Sequence, residues 1–159
     1  MATVLFFHLT RSSVEQTART LLMRALNQGW RVMIRGTDPA RLDHLDRQLW
    51  LGPEEDFIAH GRAGGAHDAL QPVLLTQGGD LVNDPAAVML LDGAPVDLSQ
   101  AQGLERVWVL FEDADTEKRE LARGQWRLVT EAGLAAQYWS EESGRWDMKM
   151  VRAASVALT

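Results

Sequence analysis

The stretch Val107-Trp-Val-Leu-Phe111 reads as a buried strand, and Glu112-Asp113-Ala-Asp115-Thr116 follows it directly. Two carboxylates in an Asp-x-Asp order at the carboxyl end of a strand are the groups that phosphoryl transfer uses. That chemistry also needs a later lysine and a further acidic ligand. About 45 residues remain after Asp113; Asp147 and Lys149 are among them, but no second strand ending in an acidic pair is. The same carboxylates have a simpler use, which is to cap and charge the N-terminus of the helix that follows.

The Asp-x-Asp-Thr run resembles the signature of the haloacid-dehalogenase phosphotransferases. That family places its nucleophile on an early strand, whereas Asp113 comes late. A Mg²⁺-dependent phosphatase built on Asp113 and Asp115 is the rival reading. The strand Val88-Met-Leu-Leu-Asp92 looks like the metal-binding strand of a P-loop ATPase, yet no G-x-x-x-x-G-K-[ST] is present to hold phosphates. Gly61-Arg-Ala-Gly-Gly65 lacks the G-x-G-x-x-G order and reads as a turn. A degenerate nucleotide-binding module, with the fold kept and the phosphate loop lost, is a third possibility.

His8, His44, His60 and His67 are scattered without an i, i+4 ligand pair, and His67-Asp68 has no second acidic cluster beside it. No G-x-S-x-G elbow occurs, and with no cysteine there is neither a thiolate nucleophile nor a disulfide framework. The expectation is a chain with no catalytic residues, no metal and no cofactor.

The elements that must position any site follow from periodicity. Val4–Leu9 reads as a strand, and Ser12-Ser13 caps a helix with Val14, Ala18, Leu21, Leu22 and Ala25 on its apolar face, ended by Asn27-Gln-Gly29. Arg31–Arg35 is the next strand. Asp38-Pro39 opens a helix carrying Leu42, Leu45 and Leu49. A short extended piece at Phe57–His60 and strands at Pro72–Leu75, Ala87–Leu91 and Val107–Phe111 follow, then a helix from Thr116 to Ala132 stopped by Gly133, and a strand near Gln137–Trp139. Strands alternating with helices imply an α/β sandwich with a mostly parallel sheet. The expectation is one domain over residues 1–150, with 151–159 a frayed tail.

A chain of 159 residues can bury a core without staples. Its 46% apolar and 24% charged residues are ordinary for a globular protein. A net charge of −6 argues against wrapping naked nucleic acid, so any contact with DNA is expected to be indirect. The first residues lack a signal-peptide pattern and no apolar run approaches the ~20 residues of a membrane helix, so a cytoplasmic location is expected.

On a wheel of ~100° per residue, the Thr116–Ala132 helix places Leu121, Leu128 and Ala132 on one side. Arg119, Arg123, Trp126 and Arg127 fall on the other, and the wheel points Trp126 away from the core. Three guanidinium groups around an aromatic ring suit a peptide that carries carboxylates and an aromatic anchor. The plainer use of such a face is solvation.

With these landmarks in order, the sequence resembles the chi subunit family of the bacterial DNA polymerase III holoenzyme. The resemblance is carried by Leu45-Asp46-x-x-Leu49-Trp50-x-x-Pro53-x-x-x-Phe57-x-x-His60, by the glycine-rich loop before Pro72-Val, and by Leu121-Ala122-Arg123-x-x-Trp126-Arg127 closed by Ala132-Gly133. It extends to about Trp146 and implies a Rossmann-like, non-enzymatic adaptor of the clamp-loader assembly. Such an adaptor grips the acidic C-terminal tail of single-stranded DNA-binding protein, which ends in an aromatic residue and a free carboxylate.

The tail-binding positions carry over to Arg119, Arg123, Trp126 and Arg127. The family often has tyrosine and lysine where this chain has Trp126 and Arg127, and Arg119 stands for another lysine. A second surface, for the psi subunit or a helicase-like partner, carries over to Trp50, Pro53 and Phe57. The helix stripe leaves open whether Trp50 is core instead.

Overall fold

The computed structural model describes residues 1–51 and 57–155. In chain order they form β1 (Thr3–Leu9), α1 (Val14–Asn27), β2 (Val32–Gly36), α2 (Pro39–Trp50), β3 (Gly61–Arg62), β4 (Val73–Thr76), β5 (Ala87–Leu91), α3 (Leu98–Ala101), β6 (Arg106–Glu112), α4 (Thr116–Glu131), β7 (Ala135–Ser140) and β8 (Asp147–Arg152). The strands make one sheet in the order β3-β4-β2-β5-β6-β1-β7-β8. Every pairing is parallel except that of β7 with β8. This is the Rossmann-like α/β sandwich that the alternation of elements implies.

Strand alternation divides the core in two. Phe7 and Leu9 of β1, with Ile34 and Leu75, pack under α1 and α2. Val4 and Phe6, with Met33 and Leu74, pack under α3 and α4. The helices begin where their caps are. Ser13 and Gln16 form a reciprocal capping box on α1, Asp38 accepts from the Ala40 N–H ahead of Pro39, and Asp115 accepts from the Lys118 N–H. Gly133, at φ 83°, lets the chain leave α4 in a conformation that a side chain would strain.

Two expectations need correction. The extended piece expected at Phe57–His60 carries no strand assignment; the short parallel strand is Gly61–Arg62, the first part of what reads as a turn. The tail expected from residue 151 is ordered at its start, because Val151 and Arg152 continue β8 and pair with Gln137 and Ala136. The Ser155 N–H then donates to the Gly133 carbonyl. An edge strand whose Met148, Met150 and Val151 are all exposed has no buried face to write alternation into its sequence.

One side chain ties this end of the sheet together. Glu141, buried just past β7, accepts from the backbone N–H groups of Thr10, Arg11 and Ser12 and from the Ser12 hydroxyl. Burial is the largest influence on its carboxyl and pushes the pKa up. The donors of Ser12, Arg11 and Thr10 together outweigh it and hold the pKa below the usual carboxylate range. A carboxyl with a depressed folded pKa adds stability that is complete above its unfolded value and is lost as pH falls through the folded one. Glu141→Gln is expected to cost about 3 kcal/mol at pH 7 in urea unfolding and to flatten the acid limb of the stability curve below about pH 5. An unchanged acid limb would mean that Glu141 does not carry this load.

Candidate functional site

The rotation of α4 about its own axis decides what it shows to solvent. Its buried residues are Ala122, Gln125 and Val129, a stripe at i, i+3 and i+7. Gln125 is a polar side chain used as a bolt: its Oε1 accepts from the Val96 N–H at 2.7 Å and its Nε2 donates to the Ala94 carbonyl at 3.2 Å. Leu121 and Leu128, expected to face the core, are instead 46% and 44% exposed. Trp126, expected to point away, is half-buried. It meets Phe6 edge-on at 5.3 Å and Tyr138 at 6.0 Å. Counting leucines rotates the wheel by about one residue, ~100°, because a buried glutamine satisfied by backbone carries no apolar signal.

Around Trp126 the carboxyl ends of β1, β6 and β7 assemble a polar chain. His8 pairs in register with Phe111 on one side and Ser140 on the other, which puts its ring beside Phe111, stacked at 4.9 Å. His8 Nδ1 lies 2.8 Å from the Tyr138 hydroxyl and Nε2 lies 2.7 Å from Asp113 Oδ1. A neutral imidazole satisfies both by accepting from Tyr138 and donating to Asp113. Burial raises the pKa of Tyr138. Arg123 and Arg119 pull it down while Glu142 and Asp113 push it up, and the phenol keeps its proton.

The arginines differ in how firmly they are held. Arg119 reaches Asp113 at 3.6 Å and donates to the Thr116 hydroxyl at 3.2 Å, and its buried Nε has no acceptor among the described residues. Arg123 touches Glu120 in an exposed pair, an interaction of little worth. Arg127 is exposed, and no described residue pairs with its side chain. All four residues expected on this face are thus on one helix, the three arginines within about two and a half turns of one another and Trp126 half-buried among them in sequence. Sequence reasoning missed Tyr138 and His8. The one tyrosine of the chain, in a strand two residues from a cap-like Ser140, was the available signal.

The carboxylates of the rival reading are already engaged. Asp113 is bound to His8 and Arg119. Asp115 caps α4, and the Lys118 N–H is the main reason that its carboxyl sits below the ordinary range. In open α/β sheets ligands settle in the crevice beyond the carboxyl ends of the strands. Here the buried Asp92 occupies it, 3.3 Å from Arg41 Nε and 2.7 Å from Lys118 Nζ, while Arg41 also reaches Glu15 and Glu112. The backbone amides of the turn between β1 and α1, where a phosphate would be cradled, are taken by Glu141. Among the described residues no three His, Asp or Glu side chains are grouped to hold a metal. None of their helices is long and apolar enough to cross a membrane.

A second cluster sits at the end of α2. Trp50 and Phe57 are 55% and 57% exposed with ring centroids 5.7 Å apart, and Trp50 also lies 4.5 Å from the ring of His60. His60 is buried, with its ring nitrogens 2.7 Å from the Ile58 carbonyl and 3.0 Å from that of Asp46. Trp50 is therefore not core: a buried histidine props it up against solvent. Pro53, the third residue expected here, lies outside the described residues.

Compared with known proteins, residues 1–137 match the family model of the DNA polymerase III chi subunit, HolC. A search of curated protein sequences finds no match.

With both carboxylates engaged, hydrolysis of an aryl phosphate in the presence of Mg²⁺ is expected to stay at background, equally for the native chain and for Asp113→Asn. Mg²⁺-dependent turnover lost in Asp113→Asn would restore the phosphatase.

Proposed function

The chain belongs to the DNA polymerase III chi subunit family, whose members are non-catalytic accessory subunits of that polymerase, and from this premise we propose that α4 binds the acidic C-terminal tail of single-stranded DNA-binding protein. In this role the chain bridges that protein to the clamp-loader assembly. The observation that carries the reading is the basic rim of Arg119, Arg123 and Arg127 around the aromatic floor of Trp126 and Tyr138. Guanidinium forks suit the carboxylates of such a tail, and the exposed part of Trp126 suits its terminal aromatic ring.

Arg119 comes to the tail partly preorganised by Asp113 and Thr116, which reduces the ordering cost of gripping a carboxylate. Arg123 and Arg127 are exposed charges. They steer the encounter and make it depend on ionic strength, because exposed charges are screened within ~8 Å at physiological salt. The net charge of −6 fits a chain that reaches DNA through another protein.

We propose the cluster of Trp50 and Phe57, with Pro53, as the surface for a second replication partner, either a psi subunit or a helicase-like protein. Two large exposed aromatic rings, one of them resting on a buried histidine, are the kind of anchor that interfaces use. Trp50 ends α2, which packs on the opposite face of the sheet from α4, so both partners can be held at once.

A fluorescent peptide of the tail is expected to bind the native chain in a salt-sensitive way. Arg123→Glu should weaken it about tenfold or more, since a grip on a carboxylate becomes a repulsion. Absence of binding to the native chain at low salt would sink the proposal. The double variant Trp50→Ala/Phe57→Ala should keep the fold and the tail affinity, since the rings are exposed, yet fail to co-elute with a psi or helicase-like partner. Loss of tail affinity in this variant would show that the two surfaces are not separate.

A further inference from the structure

A groove on the opposite side of the sheet from the basic helix has no part in the proposal above. α1 and α2 cover one face of the sheet, but no helix of the described residues lies beyond α1 over β7. What fills that corner is tryptophan. Trp30, Trp108, Trp139 and Trp146, four of the chain's six, line a half-open cavity of about 620 Å³ together with Leu5 and Phe7. That size is within the range of small-molecule sites, and its walls are chiefly apolar. Trp146 closes one end by meeting Phe7 edge-on at 5.4 Å.

The charged groups of the groove have one sign. No Asp or Glu is among its lining residues, and Arg24 and Arg106 are. Arg106 stacks over the Trp30 ring at 5.8 Å. Arg24 is exposed, and its side chain has no partner among the described residues. Hydrogen-bond donors are left over as well. Trp139 donates to Gln137, but no described residue accepts from the indole N–H of Trp30, Trp108 or Trp146. Thr17 lines the cavity, is more than nine-tenths buried, and its hydroxyl has no partner among the described residues.

We propose that this groove is a binding site for a small, flat, aromatic or heteroaromatic anion. Its rings would stack among the four indoles. Its charged group would lie at the mouth between Arg24 and Arg106. Each part of that description answers a feature of the groove: indole walls favour a π face, an all-cationic mouth favours an anion, and the volume suits two or three rings. The site shares no residue with the basic face of α4. Trp139 and Tyr138 are neighbours in β7 and point to opposite faces of the sheet.

The test uses anilinonaphthalene sulfonate as the probe, with tryptophan emission as an internal reporter. The native chain is expected to bind one dye saturably, with energy transfer from tryptophan. Affinity should fall about tenfold or more in Arg24→Gln/Arg106→Gln, and by a similar factor for the neutral phenylnaphthylamine that lacks the sulfonate. Trp146→Ala, which opens one wall without touching charge, should weaken the dye too, with circular dichroism confirming the fold. Arg123→Glu, on the far face, should leave it unchanged. Equal affinity in native chain and Arg24→Gln/Arg106→Gln overturns the proposal. So does loss of the dye in Arg123→Glu, which would place the anion on α4 instead.

Discussion

The carboxylate of Glu141, held by the backbone of the turn between β1 and α1, sets the position of everything at this end of the molecule. β7 is joined to β6 through α4 and must cross β1 to find its place, so its register against β1 is a long-range choice. Glu141 pins that register by binding three consecutive amides of residues 10–12. Tyr138 and Trp139 are three and two residues before it. Because successive strand residues face opposite ways, the one anchor aims Tyr138 at the basic helix and Trp139 into the tryptophan groove.

The same carboxylate closes the place where an α/β sheet of this kind would receive a phosphate. The amides it binds are those that would receive a phosphate, and the crevice at the strand ends is filled by Asp92 between Arg41 and Lys118. Buried charges of this sort are tolerated only when paired, and here acid and base come from different elements: α1, α2, α4 and the ends of β5 and β6. Burial opposes the charge on Arg41, yet Asp92, Glu112 and Glu15 together hold it firmly protonated. The positions that bind cofactors in related architectures are thereby used to join elements. The surfaces proposed for other molecules lie on the outer faces, on α4, at the end of α2 and over β7.

The two aromatic surfaces illustrate different ways of exposing a ring. Trp126 is supported by Phe6 and Tyr138, so only part of it is offered and its orientation is set by the core. Trp50 and Phe57 stand out on the buried His60, whose hydrogen bonds to Asp46 and Ile58 hold it rigid under them.

The order of strands and helices was legible in the residues, because caps such as Ser13, Asp38 and Asp115 and buried runs such as Ala87–Leu91 are local signals. The composition of the basic-aromatic face of α4 was legible too, since Arg119, Arg123, Trp126 and Arg127 share one helix at fixed spacing. The rotation of that helix was not. It depends on Gln125 finding the backbone of Val96 and Ala94, about 30 residues away in sequence, and no periodicity of apolar residues records a buried polar bond. Nor were Tyr138, His8 or the four-tryptophan groove, whose members come together only when β1, β6 and β7 lie side by side. Edge strand β8, exposed on both faces, wrote no pattern at all. Sequence determined the elements and their chemistry, because propensity and capping act over a few residues. Tertiary structure alone decided which faces meet, because pairing across the sheet is a contact between distant parts of the chain.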